Sequence, residues 1–381
     1  MKRKIVSAAL AAVMTIGTVI PAGAAGIPAA EDSEDFLLDC GTRTGYDFLG
    51  TMENGEQMQA LYDEMYESAV KLWNDTSRRI RSTDGFYIYD ELDYCGLDFD
   101  DATRVYFTMK ADNPMFYFAS MTSLGDESRF YMSTNADYAR GGERTRIQEA
   151  LVDYVTSTAE LAEEGELDYD KAKIVHDQII YNVSYALDSN GDPSMEEWAH
   201  SVEGTALRGE GVCESFAKTF QAVMNYMDID GYTVTGQAEG GDHAWNSVQL
   251  DDGKYYLLDC TWDYVIQGDE FFARGSDLFG REHTMDTPQG DPTHFLPELP
   301  AMSRQDFDRE YYVAHGSEPV KGDINGDGEI NVTDVVLAAA HVKSIRALEG
   351  DWLARADING DGDVNVTDLT WIAAFVKGLI K

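Results

Sequence analysis

Three residues of this 381-residue chain have the types needed for covalent acyl transfer: Cys213, His243 and Asp259. A thiol attacks as its thiolate, which needs a base beside it, and the base needs a carboxylate to fix its tautomer and orientation. All three lie between Gly209 and Trp262, in the order Cys, His, Asp. A second set of residues suits a different chemistry. Asp323 to Asp334 reads DINGDGEINVTD and Asp357 to Asp368 reads DINGDGDVNVTD, an offset of 34 residues with ten of twelve positions identical. Oxygen-bearing side chains stand at the first, third, fifth, ninth and twelfth positions, and glycine at the sixth allows the sharp turn of a calcium loop. In the first loop these are Asp323, Asn325, Asp327, Asn331 and Asp334, with Gly328. In the second they are Asp357, Asn359, Asp361, Asn365 and Asp368, with Gly362. Glu329 and Asp363 would supply backbone carbonyls at the seventh position. Two Ca2+ ions are therefore expected.

The elements around the first set must bring it together. Phe216, Phe220, Val223, Met224 and Met227 fall on one helical face behind Cys213. That places the cysteine at a helix N-terminus, where the macrodipole favours a thiolate. His243 opens an expected strand, HAWNSVQL, and Asp259 lies on the next, KYYLLDCTW. Between them, Asp251-Asp252-Gly253 suits a three-residue hairpin loop with Gly253 in the left-handed region. This loop pairs Leu250 with Lys254, and hence Trp245 with Asp259. His243 and Asp259 then become diagonal neighbours on one face. Ala244, Val248, Leu250, Tyr256, Leu258 and Cys260 form the other face, a candidate core. A two-residue loop would put His243 and Asp259 on opposite faces. Each calcium loop runs into one helix, VTDVVLAAAHVK or VTDLTWIAAFVK, with no helix leading into it.

The blocks GVCESFA, DHAWN and YYLLDCTWD resemble the Cys, His and Asp blocks of bacterial transglutaminase-like domains, which share the papain-like cysteine-protease core. LDYDKAKIVHDQIIYNVSYALD resembles the helix that leads into that core. The resemblance implies an α+β fold and acyl transfer at an amide of a peptide or protein. Cys213 would form the thioester, His243 would act as base and then acid, and Asp259 would orient His243. The Cys213 N–H would be one oxyanion donor, with Trp198 and Tyr185 as candidates for the other. Hydrolysis by a peptidase or amidase is favoured over transamidation, because an extracellular enzyme meets excess water. The alternative is a non-catalytic module that keeps the fold. The duplicated loop-helix unit from Gly322 to Lys381 resembles a type I dockerin, a small all-α calcium-binding module. It implies docking onto a cohesin of a scaffoldin in a cellulosome, through Val332, Thr333, Ala339, Ala340 and Lys343 or the matching Val366, Thr367, Ala373, Ala374 and Lys377.

The rest of the chain sets the context. Met1–Ala24 reads as a secretory signal peptide: Lys2, Arg3 and Lys4, then an apolar run, then Ala22-Gly23-Ala24. Beyond it no stretch is apolar enough to span a membrane, so a secreted, extracellular protein is expected. A net charge of -40 argues against nucleic acid or an anionic membrane as partner. No carboxylate pair stands out to suggest a glycosidase. Residues 25–166 are expected to form a mainly helical extension, 167–312 the catalytic core, 313–321 a polar linker and 322–381 the dockerin. Within the extension, residues 25–38 read as irregular and 58–73 as a helix. Residues 85–89 read as a strand, 102–110 as a helix, 116–120 as a strand and 144–164 as a helix. Cys260 reads as buried and inert, and Cys40 and Cys95 as either a disulfide, which an exported protein can hold, or two free thiols.

Overall fold

The computed structural model describes residues 30–77, 81–83, 85–316, 321–326 and 330–379. The expected signal peptide lies outside them. The extension holds helices α1 (Ala30–Asp39), α2 (Thr44–Leu49), α3 (Gly55–Trp73) and α4 (Phe99–Asp112). It also holds an antiparallel sheet of β1 (Arg81–Thr83), β2 (Phe86–Asp93), β3 (Leu124–Gly125) and β4 (Arg129–Thr134), in the order β1-β2-β4-β3. Residues 30–39, expected to be irregular, are helical because Phe36 and Leu37 are buried against the body of the protein. The expected strand at 116–120 is instead a run of buried turns, with Phe116 N–H on Asn113 O and Ala119 N–H on Phe116 O. The adjacent strand is β4, which pairs with β2 and β3.

Helices α5 (Gly141–Ala162) and α6 (Asp168–Asn182) lead to the short strands β5 (Ser184–Tyr185) and β6 (Glu210–Gly211), which pair in parallel. Helix α7 (Cys213–Tyr226) follows, then the antiparallel strands β7 (Gly231–Ala238), β8 (Gly241–Gln249) and β9 (Tyr255–Leu258). Helices α8 (Cys260–Ile266) and α9 (Ser276–Phe279) precede β10 (His283–Met285), which returns to the sheet in the order β10-β7-β8-β9. Asn246 pairs with Leu258 and Gln249 with Tyr255. Leu250 N–H bonds Lys254 O, and Gly253 has φ 75°. This is the register of the three-residue loop.

Both faces of the sheet are covered. Val248, Leu250, Tyr256, Leu258 and Cys260 join a buried cluster that runs from Phe36 to Ala273, so extension and core share one interior. On the other face Tyr232, Val234, Trp245 and Leu257 pack with Phe279 and Leu296. Helix α10 (Arg309–His315) runs past the expected core boundary at 312. Arg309 holds Asp170 through two bonds of 2.5 and 2.7 Å, which docks this helix on α6. All four cysteines are free. The C-terminal part holds α11 (Val332–Val342), α12 (Gly350–Ala356) and α13 (Val366–Val376) around Ile324, Ala338, Leu348, Ala356 and Ile372. Helix α12 leads directly into the second calcium loop, contrary to expectation. Trp352, Leu353 and Ala356 give it an apolar side that packs on this small core.

Gly236 sits where β7 meets both β8 and β10, opposite His243 and Met285. A Cβ there would lie 2.1 Å from Thr284 O and 2.8 Å from a Trp245 ring carbon. Gly236→Ala must push β10 off the sheet, at a cost of about 1–3 kcal/mol. A lowered thermal midpoint is expected, and an unchanged one would contradict this packing.

Candidate active site

Cys213 is the first residue of α7, after Val212 in extended conformation. The turn before it is tightly specified. Gly209 has φ 65°, and a Cβ on Gly211 would come within 2.7 Å of Ser215 Oγ. Ser215 Oγ in turn accepts from Thr205 N–H at 2.9 Å and donates to Ser201 O at 2.5 Å. Glu214, next to the thiol, is engaged by Lys218 at 2.6 Å and His200 at 3.0 Å. Burial would raise its carboxyl, but the Lys218 and His200 charges and hydrogen bonds hold it well below the carboxylate range.

His243 lies on β8, and its Nε2 is 2.7 Å from Asp259 Oδ2. That leaves Nδ1 as the nitrogen that can face Cys213, the next group to act on the ring. Burial would lower the imidazole, but the Asp259 charge and the bonds to Asp259 and Cys213 raise it to about 10. Asp259 is fully buried and stands just past β9 as the N-cap of α8, not on a strand as expected. Its Oδ1 accepts from Thr261 and Trp262 N–H at 2.9 and 3.0 Å. The capping bonds end the strand, because they turn the backbone into a helix. Burial would raise this carboxyl, but His243 and His283 keep it below its ordinary range. Helix α8 is pinned to α6 through His176, whose Nε2 is 3.0 Å from Asp263 Oδ2.

Two further residues complete the site. The β5–β6 pairing sets Tyr185 beside Gly211, and its phenol lies close enough to Cys213 for the two groups to act on each other. Burial and the Cys213 charge push its phenol up, so it keeps its hydrogen at neutral pH. Trp198 lies instead against Arg208, with the guanidinium 4.6 Å from its ring centre. His283 Nε2 is 3.1 Å from Asp259 Oδ2. Sequence reading missed His283, because it lies in an irregular stretch with no apolar period to place it. His243, Asp259 and His283 bring three ligand-type atoms within 4.8 Å of one another. The N–O separations of 2.7 and 3.1 Å are those of hydrogen bonds.

The calcium loops are built alike. Asp334 and Asp368 are buried, and each accepts from three backbone N–H groups: Ile324, Asn325 and Asn331, or Ile358, Asn359 and Asn365. Asn331 and Asn365 cap α11 and α13 through Thr333 and Thr367 N–H. Asp357 accepts from Gly360, Asp361 and Gly362, and Asp323 from Gly326. Asp361 Oδ2 is 2.7 Å from Asn359 Nδ2, and Asp361 Oδ1 accepts from Asp363 N–H. This all-oxygen donor set, with its backbone already folded around it, fits Ca2+. Asp327, Gly328 and Glu329 lie outside the described residues.

Residues 155–260 match the transglutaminase-like superfamily and residues 321–377 the dockerin type I domain, so the chain carries both in series. No curated protein matches. A solved TGase structure is 19% identical over 37% of this chain and 43% of its own length, with a TM-score of 0.26. A candidate cysteine protease from Cytophaga hutchinsonii is 15% identical over 49% of this chain and 69% of its own, with a TM-score of 0.25. The chain thus spans less than half the length of that TGase. Among the described residues no helix is long and apolar enough to cross a membrane.

The two cysteines nearest the site should differ sharply in reactivity. Cys260 is buried, and burial together with Asp259 and Asp263 pushes its thiol up. Cys213 is partly exposed beside an imidazole that stays protonated above its ordinary range. Iodoacetamide at neutral pH should therefore alkylate Cys213 at least about 100-fold faster than Cys260, read by peptide mass mapping. Equal, slow labelling would contradict a thiolate–imidazolium pair.

Proposed function

We propose that the chain is an exported, cellulosome-associated cysteine enzyme acting on peptide or protein amides. The observation that carries this reading is the orientation of His243: Nε2 is committed to Asp259 at 2.7 Å, which leaves Nδ1 to the Cys213 thiol. The Cys213 thiolate attacks the amide carbonyl, and the new C–S bond leaves a tetrahedral oxyanion. The Cys213 N–H and the hydroxyl of Tyr185, which acts on Cys213 as a near neighbour, would donate to it. His243 Nδ1–H protonates the departing amine as the C–N bond breaks, giving the thioester. Water then gives a proton to Nδ1 and attacks the thioester, which releases the acid and restores the thiolate–imidazolium pair. Amine in place of water would give transamidation. Hydrolysis is favoured, since water is in excess outside the cell.

Asp259→Asn tests this mechanism. The amide oxygen can still cap α8, but its N–H would face His243 Nε2 and force the hydrogen onto Nδ1, the wrong tautomer to accept from the thiol. kcat on a peptide library should fall about 10²–10⁴-fold while circular dichroism shows the fold retained. Assays with and without a primary amine read the acceptor. No turnover by the unmodified chain in either assay would favour a non-catalytic module.

The dockerin is proposed to bind two Ca2+ ions and to anchor the enzyme to a scaffoldin cohesin. Support comes from the repeated carboxylate geometry and from exposed Val332 and Val366 at matching helix starts. When bound, the ions would neutralise Asp323, Asp334, Asp357, Asp361 and Asp368, whose charges otherwise repel at close range. The small apolar core leaves folding dependent on that neutralisation. Chelator should therefore remove part of the helical circular dichroism of the whole chain, while Cys213 alkylation stays fast. An unchanged spectrum would refute the calcium coupling.

A further inference from the structure

Asp259 serves two imidazoles, and one of them does not face the thiol. His283 on β10 places Nε2 3.1 Å from the same Oδ2 that takes His243 Nε2 at 2.7 Å. The His283 side chain is 1% exposed. It stacks on Phe279 at 4.0 Å and lies 4.3 Å from Trp262 and 4.9 Å from Trp245. Its Nδ1 is buried without a hydrogen-bond partner. A hydrogen on Nδ1 would be buried without an acceptor, which is costly. The ring hydrogen therefore belongs on Nε2, where the carboxylate accepts it. Phe or Leu would fill this aromatic box without leaving Nδ1 unpartnered. An imidazole here serves one polar contact, Asp259.

We propose that His283 is a positioning residue for the Cys213–His243 couple: its Nε2–H fixes the Asp259 carboxylate toward His243 and takes a share of that carboxylate's charge. This rests on the acyl-transfer reading of that couple. An oxygen that accepts from two donors holds each less strongly. His283 thereby tempers the grip of Asp259 on His243 and keeps the imidazolium acidic enough to protonate a leaving amine. The titratable groups that act on His243 are Cys213 on α7 and Asp259 at the start of α8, with His283 on β10 beside the ring; Tyr185 on β5 acts on Cys213 and Asp259. Asp242, next along β8, is engaged by Gln237 and lies 3.8 Å from His294. Of these, His283 alone relieves the carboxylate without itself facing the thiol.

The test uses the full chain labelled with ¹⁵N at histidine. NMR should find His283 protonated at Nε2 and bare at Nδ1, and the opposite tautomer would overturn the proposal. In His283→Leu the deprotonation midpoint of His243 should rise by about 0.5–1 pH unit, because Asp259 then pulls on one imidazolium alone. kcat should fall about tenfold with KM little changed. His283→Gln keeps an N–H for Asp259 and should return the midpoint to within about 0.2 unit of the unmodified chain. An unmoved midpoint in folded His283→Leu, or equal shifts in both variants, would overturn the proposal. Should His283→Leu fail to fold, His283→Asn, too short to reach Asp259, takes its place with the same two outcomes. Loss of the His243 imidazolium below pH 7 in the unmodified chain would instead sink the acyl-transfer couple, and the His283 tautomer would still be readable.

Discussion

A buried carboxylate with four donors holds this site together. Asp259 has no exposed side-chain surface, and an ionised carboxylate out of water must be repaid by hydrogen bonds and opposite charge. Two backbone N–H groups and two imidazoles supply them. Asp112 shows what happens with less. It is equally buried and accepts from Gly45 and Tyr46 N–H and the Tyr62 hydroxyl, yet burial still raises it to about 7. Asp259 moves the other way, because imidazolium charge reaches it as well as neutral donors. The same bonds that keep Asp259 ionised end β9, start α8 and aim His243, so fold and site cannot be separated at this residue.

The thiol is fixed by a different set of contacts, and these reach into the extension. Gln221 on α7 donates to Ala111 O and accepts from Thr233 N–H, which ties α4, α7 and β7 through one side chain. Asn246 on β8 donates to Ala217 O and so ties the His243 strand to the Cys213 helix. Glu197 accepts from Ser120 Oγ and Met121 N–H, joining the buried turns of the extension to the segment before α7. With one continuous apolar cluster beneath them, the extension is part of what positions the elements that carry Cys213 and His243.

The parts legible in the sequence are those where one local signal agreed with burial. Helix α7 followed from its apolar period, and all of Phe216, Phe220, Val223 and Met224 are buried. The hairpin register followed from Gly253, since only one loop length put a glycine at the left-handed position and the apolar residues on one face. The misreadings have physical causes. Aromatic residues from Phe116 to Phe118 read as a strand, but their burial is achieved by turns whose hydrogen bonds are local. Asp259-Cys260-Thr261-Trp262 read as strand continuation, because an aspartate that caps a helix cannot be told by type from one on a strand. Residues 30–39 read as irregular because acidic residues hid the two apolar side chains that bury the helix. His283 carried no local signal at all. It becomes visible only when β10 returns to the sheet beside β7 and brings it within reach of Asp259.

The calcium loops answer the same electrostatic problem in another way. Asp334 and Asp368 are buried like Asp259, and each folds the preceding loop onto itself through three backbone N–H groups. In the catalytic region, cationic charge for the carboxylate comes from the chain itself, as an imidazolium. In the second loop Asp357 and Asp361 stand nearby; their carboxylates accept from backbone N–H groups and the Asn359 amide, and the Lys321 ammonium donates to the Asp357 backbone carbonyl at 2.6 Å. A site whose counter-charge is covalently part of the chain stays assembled whatever the medium holds. Under the proposed Ca2+ binding, the loop carboxylates would draw their remaining counter-charge from solution. The two parts of the chain thus meet the cost of a buried carboxylate differently: Asp259 through imidazoles as well as backbone N–H groups, Asp334 and Asp368 through backbone N–H groups.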